Sequence, residues 1–274
     1  MILELLEYCL TPASGAARRL GYLRSSIAVR SRFSRCRRAW EGHLRHTREA
    51  ILRGISSCVS RRTAVVLGAG LVNDIPLAEL SAAFENVLLV DAVHTWGARW
   101  ASRGFPNVRR VTADLTACAE TLRGLRDSAI PLPAPFPTFF LEDTSVDLVL
   151  SVNVLSQLGW IPGRVLEGYR SEEEIRALQA HLVRAHLEYL KRLPGRVVLV
   201  SDQAWSRYPA SEPRGAPASS WSVVQDVPLP EPDQSWDWEI APAPEKEVGV
   251  DWVAHVVCFG DWKRSSEGHC WMAR

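Results

Sequence analysis

Residues 64–80 read AVVLGAGLVNDIPLAEL. An unbroken apolar run ends at Gly68, a turn carries a second glycine at Gly70, and helix-like spacing of apolar residues resumes at Ile75. If "TAVVL" (63–67) is the first strand of a parallel sheet, this turn lies at the carboxyl end of that strand, where open α/β sheets bind their ligands. Glycine belongs there because a side chain would keep a ligand away from the backbone. What the turn holds, if anything, depends on the residues around it.

The same texture recurs downstream. TAVVLG (63–68) precedes the helical pattern IPLAELSAAF (75–84), NVLLVDA (86–92) precedes TWGARWASRG (95–104), and NVRRVTADL (107–115) precedes ACAETLRGLRD (117–127). Three such units in a row predict a parallel sheet with helices on both faces and right-handed crossovers. A proline-rich stretch (130–145) leads to VDLVLSVNVLSQL (146–158), whose start reads as a fourth buried strand. Ser171 and Glu174 form a capping box ahead of a helix over 175–193, with Ile175, Leu178, Leu182 and Tyr189 as its buried stripe, and RVVLVSD (196–202) reads as strand five. Residues 203–234 hold little periodicity and read as a long loop over the sheet edge or the site, whereas SWDWEIAP (235–242) and DWVAHVVCFGDW (251–262) read as two further strands.

Ahead of the sheet, residues 1–60 read as a helical extension, and 61–274 as one α/β domain. In SRCRRAWEGHLRHTREAILRGI (34–55), Trp40, Leu44, Ile51 and Ile55 share one helix face, while Arg37, Arg38, Arg45, Arg48 and Arg53 occupy the other. That basic face reads as solvated helix or as an anion- or nucleic-acid-binding arm. The whole chain of 274 residues carries a formal charge of only +1, with Arg supplying nearly all the positive charge. The six cysteines show no CxxC pair, which gives no zinc site and no disulfide framework and suits a reducing cytoplasm. Glu4 and Glu7 sit where a secretory leader would be basic, and no apolar run is long enough to span a bilayer, so the chain reads as soluble.

Three features bear on the ligand. Asp91 ends the second strand about 20 residues past the turn, where a carboxylate can accept from ribose hydroxyls. Asp74 follows the glycines near the start of the next helix, where it would compete with a pyrophosphate but attract a cationic ligand. Asp114 ends the third strand in TADL, in reach of an adenine amino group, and no YxxxK follows strand four, because Leu193 stands four places after Tyr189.

On VVLGAG, LLVDA, VTADL, VDLVLSVNVLSQL and the C-terminal strand pair, residues 63–262 resemble the class I S-adenosylmethionine-dependent methyltransferases. The resemblance implies a Rossmann-like, seven-stranded, mostly parallel sheet with an antiparallel last strand, and S-adenosylmethionine as cofactor. It further implies that Gly68, Ala69 and Gly70 abut the methionine part, that Asp91 with Ala92 meets the ribose, that Asp114 and Leu115 frame the adenine, and that Asn153 lies under the sulfonium. The chain departs from the family at Val66, where an acid is usual, and at Val72, where a third glycine is usual.

Methyl transfer by displacement asks mainly for positioning, with a base only where the acceptor must lose a proton. The Asn/Asp-Pro-Pro-aromatic motif of amino-methylating DNA enzymes is absent, and the expected acceptor is an oxygen or nitrogen of a small molecule. Gln157 is the candidate acceptor contact and Asp202 the candidate base. His94 is placed at the cofactor rim or as a helix cap, and His181 and His186 at the surface or between helices. Of the eleven tryptophans, Trp205, Trp221, Trp236, Trp238 and Trp252 are candidates for an aromatic acceptor site as well as for core anchors. A bacterial origin is the expectation that accompanies this reading. Three alternatives stay open: a methyltransferase fold without turnover, an NAD-dependent oxidoreductase, and a nucleic-acid methyltransferase gripping phosphates through the Arg-rich N-terminal region.

Overall fold

A computed structural model describes residues 2–271. Four helices come first: α1 (Ile2–Leu10), α2 (Gly15–Leu20), α3 (Tyr22–Arg35) and α4 (Arg37–Ser56). Then β1 (Thr63–Leu67), α5 (Leu77–Ala83), β2 (Asn86–Asp91), α6 (Trp96–Ala101) and β3 (Val108–Thr112) alternate. They are followed by β4 (Val146–Val152), α7 (Trp160–Leu166), α8 (Glu172–Arg192) and β5 (Arg196–Pro209). The last elements are β6 (Ser219–Ser222), β7 (Gln234–Ala241), β8 (Val250–Phe259) and α9 (Trp262–Ser265).

The sheet runs β3-β2-β1-β4-β5-β8-β7, with β6 paired to β5 off this path. Pairings from β3 through β5 are all parallel, and β8 lies antiparallel between β5 and β7. The order reverses at β1, so the ends of β1 and β4 open a crevice on the carboxyl side. This is the parallel sheet that the apolar runs predicted, with the Rossmann-like, antiparallel ending that the resemblance implied, joined by an eighth, short strand.

Each face of the sheet carries its own core. Alternate residues of β1 separate the two: Val65 and Leu67 pack with α7 and α8, whereas Ala64 and Val66 pack with α4 and α5. Gly54 of α4 comes so near the sheet that a β-carbon there would lie 2.7 Å from Val198 Cγ2. On the opposite face, α8 begins with the expected capping box, in which Ser171 Oγ accepts from the Glu174 N–H and the Glu174 carboxylate accepts from the Ser171 N–H.

The structure corrects the sequence reading in three places. The helix expected over 117–127 does not form; only a 3₁₀ turn, Gly124–Arg126, appears. Side chains take the backbone groups a helix would pair internally. The Asp114 carboxylate accepts N–H bonds from Thr116, Cys118 and Ala119, and the buried Arg170 guanidinium donates to the carbonyls of Leu125, Asp127 and Ile130. Strand five does not stop at Asp202, because a register shift between Asp202 and Ala204 lets it continue to Pro209. Part of the expected loop over 203–234 is therefore strand, as β5 and β6 pair at Trp205 and Trp221. Among the described residues, no helix is long and apolar enough to cross a membrane.

Candidate functional site

Backbone geometry, before any side chain, builds the floor of the crevice. Gly68 turns out of β1 at φ +85°, and its N–H and that of Ala69 both donate to the Val90 carbonyl. A β-carbon on Gly68 would lie 2.8 Å from the Val152 carbonyl oxygen, and one on Gly70 would lie 2.9 Å from Asp91 Oδ2. The turn thus presses against β4 on one side and Asp91 on the other, and glycine is required at both points. Thr95, the N-cap of α6, ties the turn down by donating its hydroxyl to the Gly70 carbonyl at 2.9 Å.

A cleft of about 180 Å³ opens above this floor. Gly68, Gly70, Asp91, Ala92, Asp114, Leu115, Asn153 and Gln157 all line it, so the structure gathers these predicted site residues in one place. Ala69 is close by but fully buried beneath the turn.

The carboxylates differ in what they have free. Asp91 Oδ1 accepts from the Val93 N–H at 3.1 Å, while burial raises its carboxyl to about 6 against the pull of backbone N–H groups from Val93, Gly70 and Ala92. Asp114 is spent on its own loop. Oδ1 accepts from Thr116 N and Thr116 Oγ1, and Oδ2 from Cys118 N and Ala119 N. With both lone pairs of each oxygen engaged, the carboxylate has none left for an adenine amino group, and the expectation for Asp114 is corrected to loop support.

Asp202 is corrected as well. It is 3 % exposed, bonded to Ser156 Oγ and Trp205 Nε1, and absent from the cleft lining. Burial raises its carboxyl above the ordinary range, and its bonds anchor the irregular middle of β5. Gln157 lines the cleft while its amide donates to the Asn153 carbonyl. His94 is buried with Nε2 beside the Val111 carbonyl, and Thr95 rather than His94 caps α6. His181 bonds the Pro135 carbonyl, whereas His186 is buried against Ser151 in the sheet rather than lying at the surface.

The centre of the cleft is a network the sequence did not disclose. Asn153 leaves β4 at φ +53°, a left-handed position that asparagine tolerates better than most residues. Its Nδ2 lies 2.8 Å from Asp74 Oδ2 and 3.0 Å from His43 Nε2. Trp236 donates its indole N–H to His43 Nδ1 at 3.2 Å, and Trp238 stacks on the imidazole with centroids 3.9 Å apart. Burial lowers the His43 pKa to about 3, so the ring is neutral at physiological pH. A neutral imidazole offers one lone pair and one N–H. Trp236 uses the lone pair, which puts the ring proton on Nε2, facing Asn153. Burial raises the Asp74 carboxyl, which favours the protonated form; that form donates to the Asn153 amide oxygen, and the same oxygen accepts from the His43 Nε2–H.

The roof comes from the N-terminal helices. Tyr22, Ser25, Ser26 and Val29 of α3, with Trp40, His43 and Leu44 of α4, line the cleft opposite the glycine turn. The spacing of α4 contained a signal for His43, which falls three residues after Trp40 on the same face. Nothing local marks the residues of α3.

No protein-family model matches the chain, and no curated protein matches it in sequence. Among solved structures it is similar to the YcgJ protein from Bacillus subtilis, at 15% identity over 58% of this chain with a TM-score of 0.31, and it spans about half, 51%, of that chain. It is similar to the N-methyltransferase NodS from Bradyrhizobium japonicum WM9, at 13% identity over 80% of this chain and 98% of that one, TM-score 0.37. It is also similar to DhpI in a complex with SAM and HEP, at 13% identity over 89% of this chain and 99% of that one, TM-score 0.37. Likenesses at this level concern the fold alone, and the fold itself rests on the strand order.

Proposed function

We propose that the protein is an S-adenosylmethionine-dependent methyltransferase acting on an oxygen or nitrogen of a small molecule. The observation that carries this reading is the convergence of four strand ends, at Gly68, Asp91, Asp114 and Asn153, on one cleft at the point where strand order reverses. The residues present suit the cofactor. The Gly70 position admits no side chain against Asp91, and Asp91 keeps an acceptor position for a ribose hydroxyl. Leu115 gives an apolar wall for the adenine, and Asn153 lines the cleft with its amide beside Asp74.

The acid usual at Val66 is replaced in space rather than in sequence. Val66 is fully buried in the sheet, while Asp74 lines the cleft beside Asn153 and in this reading takes the cofactor's ammonium. When bound, S-adenosylmethionine supplies a methyl group made electrophilic by its sulfonium. The chain's part is to position: the glycine turn and Asp91 fix the adenosyl end, and Tyr22, Trp40, His43 and Gln157 bound the space left for an acceptor. The neutral, aromatic character of that space favours an uncharged acceptor over a phosphate. The described cysteines are all free, which suits the cytoplasmic location proposed here.

Calorimetric titration with S-adenosylmethionine and S-adenosylhomocysteine tests the reading. Wild type is expected to bind both, and Asp91→Ala to bind about 10- to 100-fold more weakly, the effect of removing hydrogen bonds to a charged acceptor. Absence of binding heat with wild-type protein overturns the proposal; undiminished affinity in the variant overturns the role of Asp91.

A further inference from the structure

Asp114 stands at the adenosyl end of the cleft with its lone pairs taken by its own loop, so it has no acceptor to offer a base. A different element brings one to the same place. Helix α3 begins at Tyr22, directly after Gly21, whose φ of +92° ends α2 and turns the chain into α3. Tyr22, Ser25, Ser26 and Val29 fall at i, i+3, i+4 and i+7, on one face of the helix, and all four line the cleft. Leu23 and Ile27 of the same helix cluster with Val93, two residues past Asp91, which fastens this end of α3 over the exit of β2.

The Tyr22 hydroxyl is shut off from solvent and makes no hydrogen bond of ordinary geometry among the described residues. Tyr22 borders the acceptor space, yet the groups that act on its hydroxyl belong to the adenosyl end. Burial, and next the negative field of the Asp114 carboxylate, hold the phenol proton well above its ordinary range. Asp91 acts on it more weakly than Asp114, which sets the hydroxyl nearer the third strand's end than the second's. Thr116 is its polar neighbour but has nothing to spare: its hydroxyl donates to Asp114 Oδ1 at 2.6 Å and accepts from Cys118 N and Sγ. A buried hydroxyl left unpaired is costly, and in a residue that lines a cleft the missing partner is one a ligand can supply.

We infer that the Tyr22 hydroxyl, delivered by α3, accepts from the amino group of the cofactor's adenine in place of Asp114. The inference rests on the cofactor reading. A neutral phenol has two lone pairs, and neither is used here, so it can take an N–H without bringing a further negative charge to the base. The work of holding the adenosyl group is then divided. The sheet supplies Asp91 for the ribose and Leu115 as the apolar wall, while the N-terminal helices supply the polar contact that tells adenine from another base.

The test is calorimetric titration of wild type and Tyr22→Phe with S-adenosylhomocysteine and with its analogue in which hydrogen replaces the adenine amino group. Wild type is expected to prefer S-adenosylhomocysteine by about 3- to 10-fold, the worth of one neutral hydrogen bond. Tyr22→Phe is expected to lose that preference by binding S-adenosylhomocysteine more weakly and the analogue as before. Without ligand, the variant is expected to melt no lower than wild type, because the hydroxyl removed had no partner to lose. No preference in wild type, or a preference kept in Tyr22→Phe, overturns the inference and leaves the cofactor reading standing. Equal weakening towards both ligands overturns it as well, since it makes Tyr22 a packing residue. So does a lower melting temperature of the ligand-free variant, which would give the hydroxyl a partner inside the fold. Failure of wild type to bind either ligand is the separate result that removes the cofactor reading, and this inference with it.

Discussion

The floor and the roof of the cleft are built by different means. The floor is backbone: Gly68 at positive φ, Gly70 against Asp91, paired N–H groups on the Val90 carbonyl, and Asn153 turned out of β4. The roof is side chains from α3 and α4, held through contacts that cross most of the chain, such as His43 with Trp236 and Trp40 Nε1 with the Ile240 carbonyl. The floor is rigid because each of its parts is forced by hydrogen bonds or by lack of space. The roof is held by packing that has no local equivalent, and changes there are absorbed differently from changes in the floor.

Gly70→Ala probes the floor and carries the largest expected effect. The added carbon meets Asp91 Oδ2 at 2.9 Å and the Val93 carbonyl at 3.1 Å, so the carboxylate must leave its place. Affinity for S-adenosylhomocysteine is expected to fall by at least ~100-fold, about the size of losing two charge-assisted hydrogen bonds. Unchanged affinity by calorimetry would mean that the turn yields, and the floor is no more rigid than the roof.

His43→Ala probes the roof. It removes the acceptor for Trp236, the stacking partner of Trp238 and a neighbour of Asn153. Denaturant unfolding is expected to show a loss of roughly 2–4 kcal/mol, as for other large buried truncations that leave a polar partner unmet. Cofactor affinity is expected to change less than in Gly70→Ala. An affinity loss larger than that of the glycine variant would reverse the division of labour proposed for the two regions.

A smaller effect separates them by pH. Asp91 in the free protein titrates near 6 and must be ionised to serve as a strong acceptor, so cofactor affinity is expected to be level above pH 7 and to decline by up to about tenfold per unit below 6. Asp91→Asn is expected to make that decline shallower, leaving the part due to Asp74, whose carboxyl burial also raises. The roof titrates the other way. His43, near 3 in the fold and near 6.5 when unfolded, contributes stability that is fully present above 6.5 and lost as pH falls from 6.5 towards 3. The stability advantage of wild type over His43→Gln should therefore shrink on acidification. A constant difference would show that His43 is not held neutral by burial.

Legibility followed the same division. Parallel strands announced themselves as continuous apolar runs because both of their faces are buried, and the turn and Asp91 could be placed from strand ends, whereas Asn153 came from the family resemblance. Asp114 was located correctly but misread in its chemistry, because its loop takes the carboxylate through bonds to its own backbone. The helical pattern of 117–127 failed for the same reason, aided by Arg170, some 45 residues away. Asp202 looked like a site residue because it stood near a strand end, but β5 runs past it and folds it inward.

The sequence by itself determined the order of strands and helices and the glycine-lined mouth, because periodicity and turn chemistry act over a few residues. Only the tertiary structure decided that Asp74 meets Asn153, that His43 is pinned between Asn153 and the β7 tryptophans, and that α3 and α4 close over the cleft. Those contacts join segments 79 to 193 residues apart, and they are selected by the packing of whole elements rather than by any local pattern.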